Sequence, residues 1–448
     1  MIKFTEKEIQ EYIWSVGDDF PSLLSDPDDL ELINFLDDLS DVNAKSLIRN
    51  KLFRRLKKLH HKLYGMKLIG CEVPLEQHSN STIRADFLAV FPGDTGVAIV
   101  ELKKSNQTER QAFTELLAYS NHLSTLFPAM TRDDSIYILI SPMETRIARD
   151  AVIQSLTFDN RNIIALVPFF KDENDITTLS LKLWLPKETE LTLYSNLIFS
   201  EDNFSVCKLS WEYDPERWDA EKGESPPEYF IEQFNNLSTM AAQQMEESGI
   251  HGFTYCSQLW SELSDVLPYT NSLVLVGLNP YSAGISQFHL KSVNLSSGKN
   301  FEPSYRATHI SDFIPDLGKE ELYELNSDVL EGLQTIWNSQ LYRIGKKAID
   351  LATKNTAGSH IHVEHGFMNW SAYQRLLLED VYCHNFSMRP TGLIRHLYSD
   401  ILDLDYNFCE KFGLENHPIH GDMPYLGVDF MISQMHFRQF IVRMFHSD

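Results

Sequence analysis

The chain has 448 residues, 43% hydrophobic and 23% charged, which is typical of a globular protein with two or three domains. Its formal net charge of −24 excludes a protein that coats nucleic acid with its whole surface, although a nucleic-acid enzyme needs positive charge only along its groove. No apolar run reaches the roughly 18 residues of a membrane span, and the N-terminus has no signal-peptide pattern. We therefore expect a cytoplasmic protein with no membrane partner.

The N-terminal part of the sequence divides into an acidic stretch and a basic stretch. Residues 17–41 contain nine acidic side chains and no Lys or Arg, whereas residues 45–62 contain eight basic side chains and no acid. Within the basic stretch, Leu and Ile recur at helical spacing, which predicts one amphipathic helix that ends near Gly65. We therefore separate an acidic N-terminal segment, 1–44, from a domain that begins with this helix.

Three short β-like runs follow the predicted helix. They are KLIGCEV (67–73), IRADFLAVF (83–91) and GVAIVELK (96–103), and PGDT joins the second to the third as a hairpin turn. The next predicted elements are a helix that opens at Thr108, a strand over 135–140, a helix over 144–156 and a strand over 162–167. This order predicts an α/β protein with an α/β/α core around a mixed sheet.

A polar, proline-bearing stretch over 214–227 marks the predicted domain boundary. The first domain is thus expected to cover residues 45–213, with LSLKLWL and ELTLYSNLIF as further strands. Residues 228–448 form the second predicted domain, an α/β domain for recognition of a substrate feature or a partner. It is expected to open with helix over 228–265 and to contain a buried strand over 272–278.

Two acids and a lysine come together on the predicted hairpin. Asp86 lies in its first strand, and Glu101 and Lys103 lie in its second, separated by one residue so that their side chains share a face. Hard oxygen ligands hold Mg²⁺ or Mn²⁺, and a nearby ammonium group orients water or stabilises developing charge. A Glu-x-Lys pair is usually only solvated, but strongly apolar residues flank these acids, and unpartnered buried acids are costly outside functional sites.

The pattern RAD, fourteen residues, then ELK, followed by a helix that carries Gln and Tyr, resembles the PD-(D/E)XK nuclease superfamily. The core order of that family, a helix, three strands, a helix and a strand, matches residues 45–140. The resemblance implies a restriction endonuclease-like fold and hydrolysis of DNA with Mg²⁺ or Mn²⁺. It implies Asp86, Glu101 and the main-chain carbonyl of Leu102 as metal ligands, and Lys103 as the catalytic lysine.

Two further positions follow from this resemblance. Many family members place Gln four residues before the helix tyrosine, whereas here Glu115 lies four residues before Tyr119, and Gln111 lies one turn earlier. Either of the two faces the site, and we favour Gln111 as the additional catalytic residue. The predicted first helix carries no acid for a second metal, so one metal site is expected. Glu72 could substitute, or it is a surface acid at a strand end.

The basic helix and the residue after the catalytic lysine supply candidate contacts to the phosphate backbone of DNA. These candidates are Arg49, Arg54, Arg55, Lys58 and Lys104. The alternative is that the basic face is solvated and pairs with the acidic segment before it. The sequence favours neither.

The second domain contains VLVGLNPYSA (274–283), which resembles the first motif of the uracil-DNA glycosylase superfamily. By that resemblance, Asn279 and His365 match polar residues of a base-excision site. The alternative, which we favour, is a core strand closed by an Asn-Pro turn.

Together these features predict a metal-dependent DNA endonuclease, related by fold-level analogy to prokaryotic restriction or phage-defence effectors. Two alternatives remain. The first is a partner-dependent subunit of a defence complex, or a homo-oligomer, in which the nuclease fold is silent until assembly. The second is a nuclease fused to a glycosylase-like domain that acts on modified bases.

Overall fold

The structure is a computed structural model. It describes residues 3–27, 30–36, 39–74, 84–94, 96–211, 226–259, 271–282, 320–353, 361–374, 383–417 and 434–445. The chain forms two compact units, the first comprising Met1–Asn34 and Ser46–Thr192, the second Phe35–Lys45 and Leu193–Asp448. Among the described residues, no helix is both long and apolar enough to cross a membrane.

The first unit is built on a six-stranded mixed sheet with the order β1-β2-β3-β4-β5-β6. Its strands are β1 (Lys67–Pro74), β2 (Arg84–Val90), β3 (Val97–Leu102), β4 (Ser135–Ile140), β5 (Ile163–Phe170) and β6 (Leu179–Leu183). The helices in this part of the chain are α1 (Glu6–Val16), α2 (Ala44–Leu63), α3 (Asn106–Leu126), α4 (Arg146–Thr157) and α5 (Glu188–Ile198). The sheet is parallel from β3 to β5 and antiparallel elsewhere.

Two crossover helices connect the parallel strands. Helix α3 joins β3 to β4 and contacts both strands as well as α4, and α4, which joins β4 to β5, contacts β5. Right-handed crossovers in one direction place both helices on the same face of a sheet. All six residues of β4 are buried, as expected for a central strand covered on both faces. The carboxyl ends of β3 and β4 therefore lie together at one edge.

The structure confirms the α/β class with a mixed sheet, the basic helix, and the predicted order of strands and helices from β1 to β5. It differs at the N-terminus, where the acidic segment 1–44 is not a separate element. Part of it is helix α1, whose Ile9 and Ile13 are fully buried. A capping box begins this helix, in which Glu8 N donates to Thr5 Oγ1 and Thr5 N donates to Glu8 Oε2.

The predicted domain boundary at 214–227 stays a prediction, and most of that stretch lies outside the described residues. The chain passes into the second unit at Leu193. Of the two strands predicted before the boundary, LSLKLWL contains β6, but ELTLYSNLIF lies in helix α5. A strand that the sequence did not predict, β7 (Phe204–Trp211), pairs along its whole length with a strand of the second unit, which removes it from the first domain.

The second unit contains an antiparallel sheet with the order β10-β7-β9-β8-β11, and β12 also pairs with β8. Its remaining strands are β8 (Gly252–Leu259), β9 (Asn271–Leu278), β10 (His362–Asn369), β11 (Cys383–Asn385) and β12 (Arg389–Thr391). Its helices are α6 (Glu228–Glu247), α7 (Glu320–Ala352), α8 (Trp370–Gln374), α9 (Gly392–Phe412) and α10 (Gln434–Phe445). The expected helix over 228–265 ends at Glu247, and β9 confirms the buried strand.

Helix α7 packs closely on this sheet because a glycine faces the strands. A Cβ atom built on Gly345 would lie 2.6 Å from Cδ1 of Leu209 in β7 and 2.8 Å from Cδ1 of Leu275 in β9. These leucines belong to a core that α6 and α7 complete with Phe230, Phe234 and Trp337. The absence of a side chain at position 345 therefore sets the distance between helix and sheet.

We expect Gly345→Ala to destabilise the second unit by about 1–3 kcal/mol because the added methyl group overpacks the core. In an exposed helix position the same change would stabilise by about 0.5–1 kcal/mol. Urea denaturation would measure the difference, with Thr335→Ala on the exposed side of α7 as the control. A Gly345→Ala protein as stable as the wild type would contradict this packing.

Candidate active site

Asp86 lies where β2 and β3 stop pairing. The last residues of the ladder are Phe87 and Val100, and beyond them the N–H of Leu102 donates to Asp86 Oδ2 at 2.7 Å. The N–H and C=O groups of one strand residue point to the same side of the strand. The Leu102 carbonyl is therefore also directed toward the side of β3 on which Asp86 lies.

Glu101 and Lys103 lie at the carboxyl end of β3 and share a face, as predicted. Both are buried, with 2% and 8% of their surface exposed. The Lys103 ammonium donates to Glu101 and lies 2.8 Å from Glu115 Oε2 on helix α3. The backbone N–H of Lys103 donates to Ile140 at the end of β4, which fixes this part of the chain at the sheet edge. The structure thus brings the three predicted catalytic residues together.

Burial dominates the electrostatics of the two acids. It raises the pKa of Asp86 to about 6, against an ordinary value of 3.8, although the Leu102 N–H and Lys103 act in the opposite direction. Burial, followed by the negative charge of Asp86, raises the pKa of Glu101 to about 9. Burial disfavours the charged form of Lys103, but its hydrogen bonds to Glu101 and Glu115 outweigh this and raise its pKa.

The site has more acidic groups than its lysine can neutralise. Three carboxyl groups, those of Asp86, Glu101 and Glu115, surround one ammonium group. In addition, the buried Oε2 atom of Glu101 has no hydrogen-bond partner among the described residues. An unsatisfied buried carboxylate oxygen is costly unless a proton or a cation compensates it.

A divalent cation fits this arrangement. Oxygen ligands suit Mg²⁺ and Mn²⁺, and Asp86, Glu101 and the Leu102 carbonyl supply them. In the described part of the chain, no three His, Cys, Asp or Glu side chains form a ready-made metal cluster. Two carboxylates and one carbonyl therefore make up the candidate ligand set, which leaves room for water and a phosphate oxygen.

Helix α3 contributes Glu115 and not the predicted Gln111. Glu115 contacts Lys103, whereas Gln111 is exposed and makes no hydrogen bond to the described residues. Gln111, Glu115 and Tyr119 are four residues apart and share a face. The two candidates therefore differ in their position along the helix. Glu115 lies one turn before the buried Tyr119, whose hydroxyl donates to the Arg84 carbonyl at 2.7 Å and holds α3 beside β2. Gln111 lies a further turn away.

Helix α1 brings two residues to the site that the sequence did not predict. Gln10 Nε2 donates to Asp86 Oδ1 at 3.3 Å and to Glu72 Oε1 at 3.0 Å. Glu6 Oε2 accepts a hydrogen bond from the Lys104 N–H at 3.1 Å. Glu72 thus lies at the site, with a left-handed backbone (φ 53°). The Thr-x-x-Glu capping box at positions 5–8 would have predicted this helix, and Glu6 and Gln10 are spaced to share its face.

The five candidate DNA contacts differ in whether their side chains already bind within the protein. Arg49 pairs with Glu188 at 3.9 Å and stacks over Phe53, and its side chain is only 19% exposed. Arg55 donates to the Leu156 carbonyl and to Asn160 Oδ1, and so holds the loop between α4 and β5. Both guanidinium groups therefore bind within the protein, and their predicted contacts with DNA phosphates stay a prediction.

The other three candidates are Arg54 and Lys58, which are exposed on α2, and Lys104, which is half-buried beside Glu6. Lys58 lines a cleft of about 470 Å³ that also includes Asp133 and Asn162. These two residues directly precede β4 and β5, so the cleft lies at the amino ends of the parallel strands. Glu101 and Lys103 lie at the opposite end.

The structure does not bring Asn279 and His365 together as a second site. Asn279 is buried, and its amide donates to Ser205 Oγ and Asn338 Oδ1 while accepting from the Tyr281 N–H. These bonds use the amide to close the turn after β9, as the alternative interpretation expects. The His365 backbone pairs with β7 at Lys208, several residues from the Asn279 end of the sheet, and its side chain lies outside what the structure describes.

No family model matches the chain, and no curated protein or solved structure is significantly similar to it. Any function proposed for this chain therefore rests on the geometry of the described residues and on the sequence patterns. What is established at the level of fold is an α/β protein with one six-stranded mixed sheet and one antiparallel sheet.

Proposed function

We propose that the first unit is a restriction endonuclease-like, PD-(D/E)XK-type nuclease that hydrolyses DNA phosphodiester bonds with Mg²⁺ or Mn²⁺. The observation that carries this proposal is the convergence of Asp86, Glu101 and Lys103 where β2 and β3 part, with one Glu101 oxygen unsatisfied. The order of elements, three antiparallel strands followed by a helix and a parallel strand, supports it.

Each residue has a distinct role in this proposal. When bound, the divalent ion supplies Lewis-acid activation of the scissile phosphodiester. Asp86 and Glu101 hold the ion, and the bond from Leu102 N–H fixes the orientation of the Asp86 carboxylate. Lys103 orients the attacking water and offsets negative charge that develops on the phosphate. Glu115, on α3, positions Lys103 because its Oε2 lies 2.8 Å from the Lys103 ammonium nitrogen.

The resting acids must lose their protons before they bind a metal ion. The raised pKa values mean that the metal-free site holds one proton at Glu101 up to about pH 9 and a second at Asp86 below about pH 6. Gln10 donates to Asp86 from α1, so it can stay in place when Asp86 is charged. Metal binding and proton release are therefore coupled at this site. Exposed Arg54 and Lys58 remain candidate contacts to the DNA backbone.

We expect Asp86→Asn and Lys103→Gln each to lower DNA cleavage at least about 100-fold, because each removes a group that stabilises charge in the transition state. Cleavage of plasmid and of labelled DNA and RNA with Mg²⁺, Mn²⁺ or EDTA would measure this. Lys171→Gln, an exposed lysine after β5, is the matched control. Wild-type cleavage by both folded variants would overturn the proposed function.

Mutation distinguishes the two candidate residues of α3, Glu115 and Gln111. Glu115→Gln should reduce cleavage by roughly 10-fold because Lys103 loses a charged partner, whereas Gln111→Ala should leave it unchanged. Single-turnover cleavage rates at saturating Mg²⁺ would compare the two. A large loss with Gln111→Ala and none with Glu115→Gln would favour the sequence-based choice.

The free energy of unfolding of the metal-free protein should depend on pH because the pKa of Asp86 is raised. The folded metal-free protein binds the Asp86 proton more tightly than the unfolded chain, so the free energy of unfolding should fall as pH rises from about 4 to 6. Two pKa units correspond to at most about 3 kcal/mol. Mg²⁺ should then stabilise the protein more at pH 8 than at pH 5, as thermal denaturation would show.

The matched variants for this experiment are Asp86→Asn, which should reduce the fall between pH 4 and 6, and Asp150→Asn, an exposed acid on α4 that should not. Both are needed because other carboxylates also titrate in this range. Glu101, whose pKa is raised to about 9, adds a further fall at higher pH in the wild type. An unaltered pH profile in Asp86→Asn, together with equal stabilisation by Mg²⁺ at both pH values, would count against a metal at Asp86.

A further inference from the structure

A second concave site lies within the second unit, between α6, α9, α10 and the chain around β12. Its volume is about 730 Å³, which is within the usual range for small-molecule sites. Helix α9 contributes Arg395, Tyr398 and Leu402, which share one face because their spacing follows the helix repeat. None of these residues belongs to the proposed nuclease site.

The cavity is positively charged in a strongly acidic chain. In the part of the chain that the structure describes, two arginines and one acid line it, namely Arg389, Arg395 and Glu246. Arg389 Nε donates to Thr239 Oγ1 at 3.2 Å, and the two terminal nitrogens of its guanidinium group have no partner among the described residues. Glu246 Oε1 is shared, since it receives the Gly392 N–H at 2.7 Å and lies 3.2 Å from Arg395 Nε. Two guanidinium groups that line one cavity suit a phosphate.

A buried network holds the tyrosine of the cavity. Asp405, which is fully buried, lies 2.8 Å from His436 Nε2, and His436 Nδ1 lies 3.2 Å from Tyr398 Oη. A carboxylate requires a donor, so Nε2 carries a proton, and Nδ1 pairs with the tyrosine hydroxyl. A tyrosine hydroxyl has one donor and two acceptor positions, so Tyr398 keeps hydrogen-bonding capacity beyond His436.

This tyrosine acts as a hydrogen-bonding group and not as a nucleophile. Burial, followed by the charge of Asp405, raises the pKa of Tyr398 to about 12, so the phenol keeps its proton at neutral pH. The Phe437 ring lies 4.9 Å from the Tyr398 ring and is itself almost fully buried, so the tyrosine is held from both its ring and its hydroxyl. Its position in the cavity is therefore fixed before a ligand binds.

Apolar side chains form another part of the wall. Met388 and Pro390 line the cavity on either side of Arg389, and Leu402 and Phe437 line it from the helices. A ligand that matches this lining has an anionic group, an apolar surface and a polar group that hydrogen-bonds to Tyr398. Nucleotides combine these three features.

We propose that this cavity binds a mononucleotide, with its phosphate at Arg389 and Arg395, its base against Met388 and Pro390, and a base N–H directed to Tyr398. This inference is independent of the proposed nuclease activity, because all its residues lie in the second unit. It assigns the second unit a small-molecule ligand that the sequence patterns did not indicate.

Isothermal titration calorimetry of the full chain tests this proposal, with AMP, GMP, CMP, UMP, adenosine and inorganic phosphate as separate ligands. EDTA in the buffer keeps metal-dependent binding at the first unit out of the measurement. At least one nucleotide should bind with a Kd below about 1 mM, and more tightly than phosphate or adenosine. Failure of all four nucleotides to bind, or phosphate alone binding as tightly, would overturn the proposal.

Variants locate the binding. Arg389→Gln and Arg395→Gln should each weaken nucleotide binding about 10-fold by removing a charge-assisted contact, and Tyr398→Phe should weaken it less and alter the preference among bases. Arg343→Gln, an exposed arginine on α7, should bind as the wild type does. Unfolding temperatures confirm that the variants fold. Undiminished binding by folded Arg389→Gln and Arg395→Gln proteins would place the ligand elsewhere and contradict the proposal.

Discussion

The hydrogen bond from the Leu102 N–H to Asp86 is the interaction on which the first unit's site depends. It replaces the next rung of the ladder after Phe87 and Val100, so β2 and β3 separate at the sheet edge. The space between them receives Asp86, and the fully paired strand β3 carries Glu101 and Lys103 into the same region. Because this region is buried, the acids there have raised pKa values, and a positive charge nearby stabilises their charged forms.

Asp405, a buried acid of the second unit, differs from Asp86 and Glu101 in the number of basic side chains around it. Asp405 is also buried, and burial alone would raise its pKa, but His417, His436 and Arg443 surround it and lower the pKa well below its usual range. Three basic side chains therefore face that acid, and its contact with His436 serves to hold Tyr398. Among the described residues, Asp86 and Glu101 have only one lysine near them, Lys103. Part of their negative charge is therefore left for the proposed divalent cation to neutralise. The proposed cation and the proposed nucleotide thus follow from opposite local imbalances within one acidic chain.

Local patterns in the sequence predicted much of the first unit. Short β-like runs located β1 to β5, and the spacing of Glu101 and Lys103 placed them on one face. Contacts between distant segments were not predictable in this way. Gln10 reaches Asp86 across 76 residues, and β7 joins the sheet of the second unit because β9 and β10 pair with it. The basic face of α2 shows the same limit, since composition cannot reveal that Arg55 holds a loop of its own domain.

The central claim is that a divalent cation binds at the carboxyl end of β3. The most direct test is anomalous diffraction from crystals soaked in Mn²⁺, which locates the ion without reference to activity. The account predicts a peak about 2.0–2.5 Å from carboxylate oxygens of Asp86 and Glu101 and from the Leu102 carbonyl. Ordered density for these side chains without a peak between them, at saturating Mn²⁺ and neutral or higher pH, would contradict it.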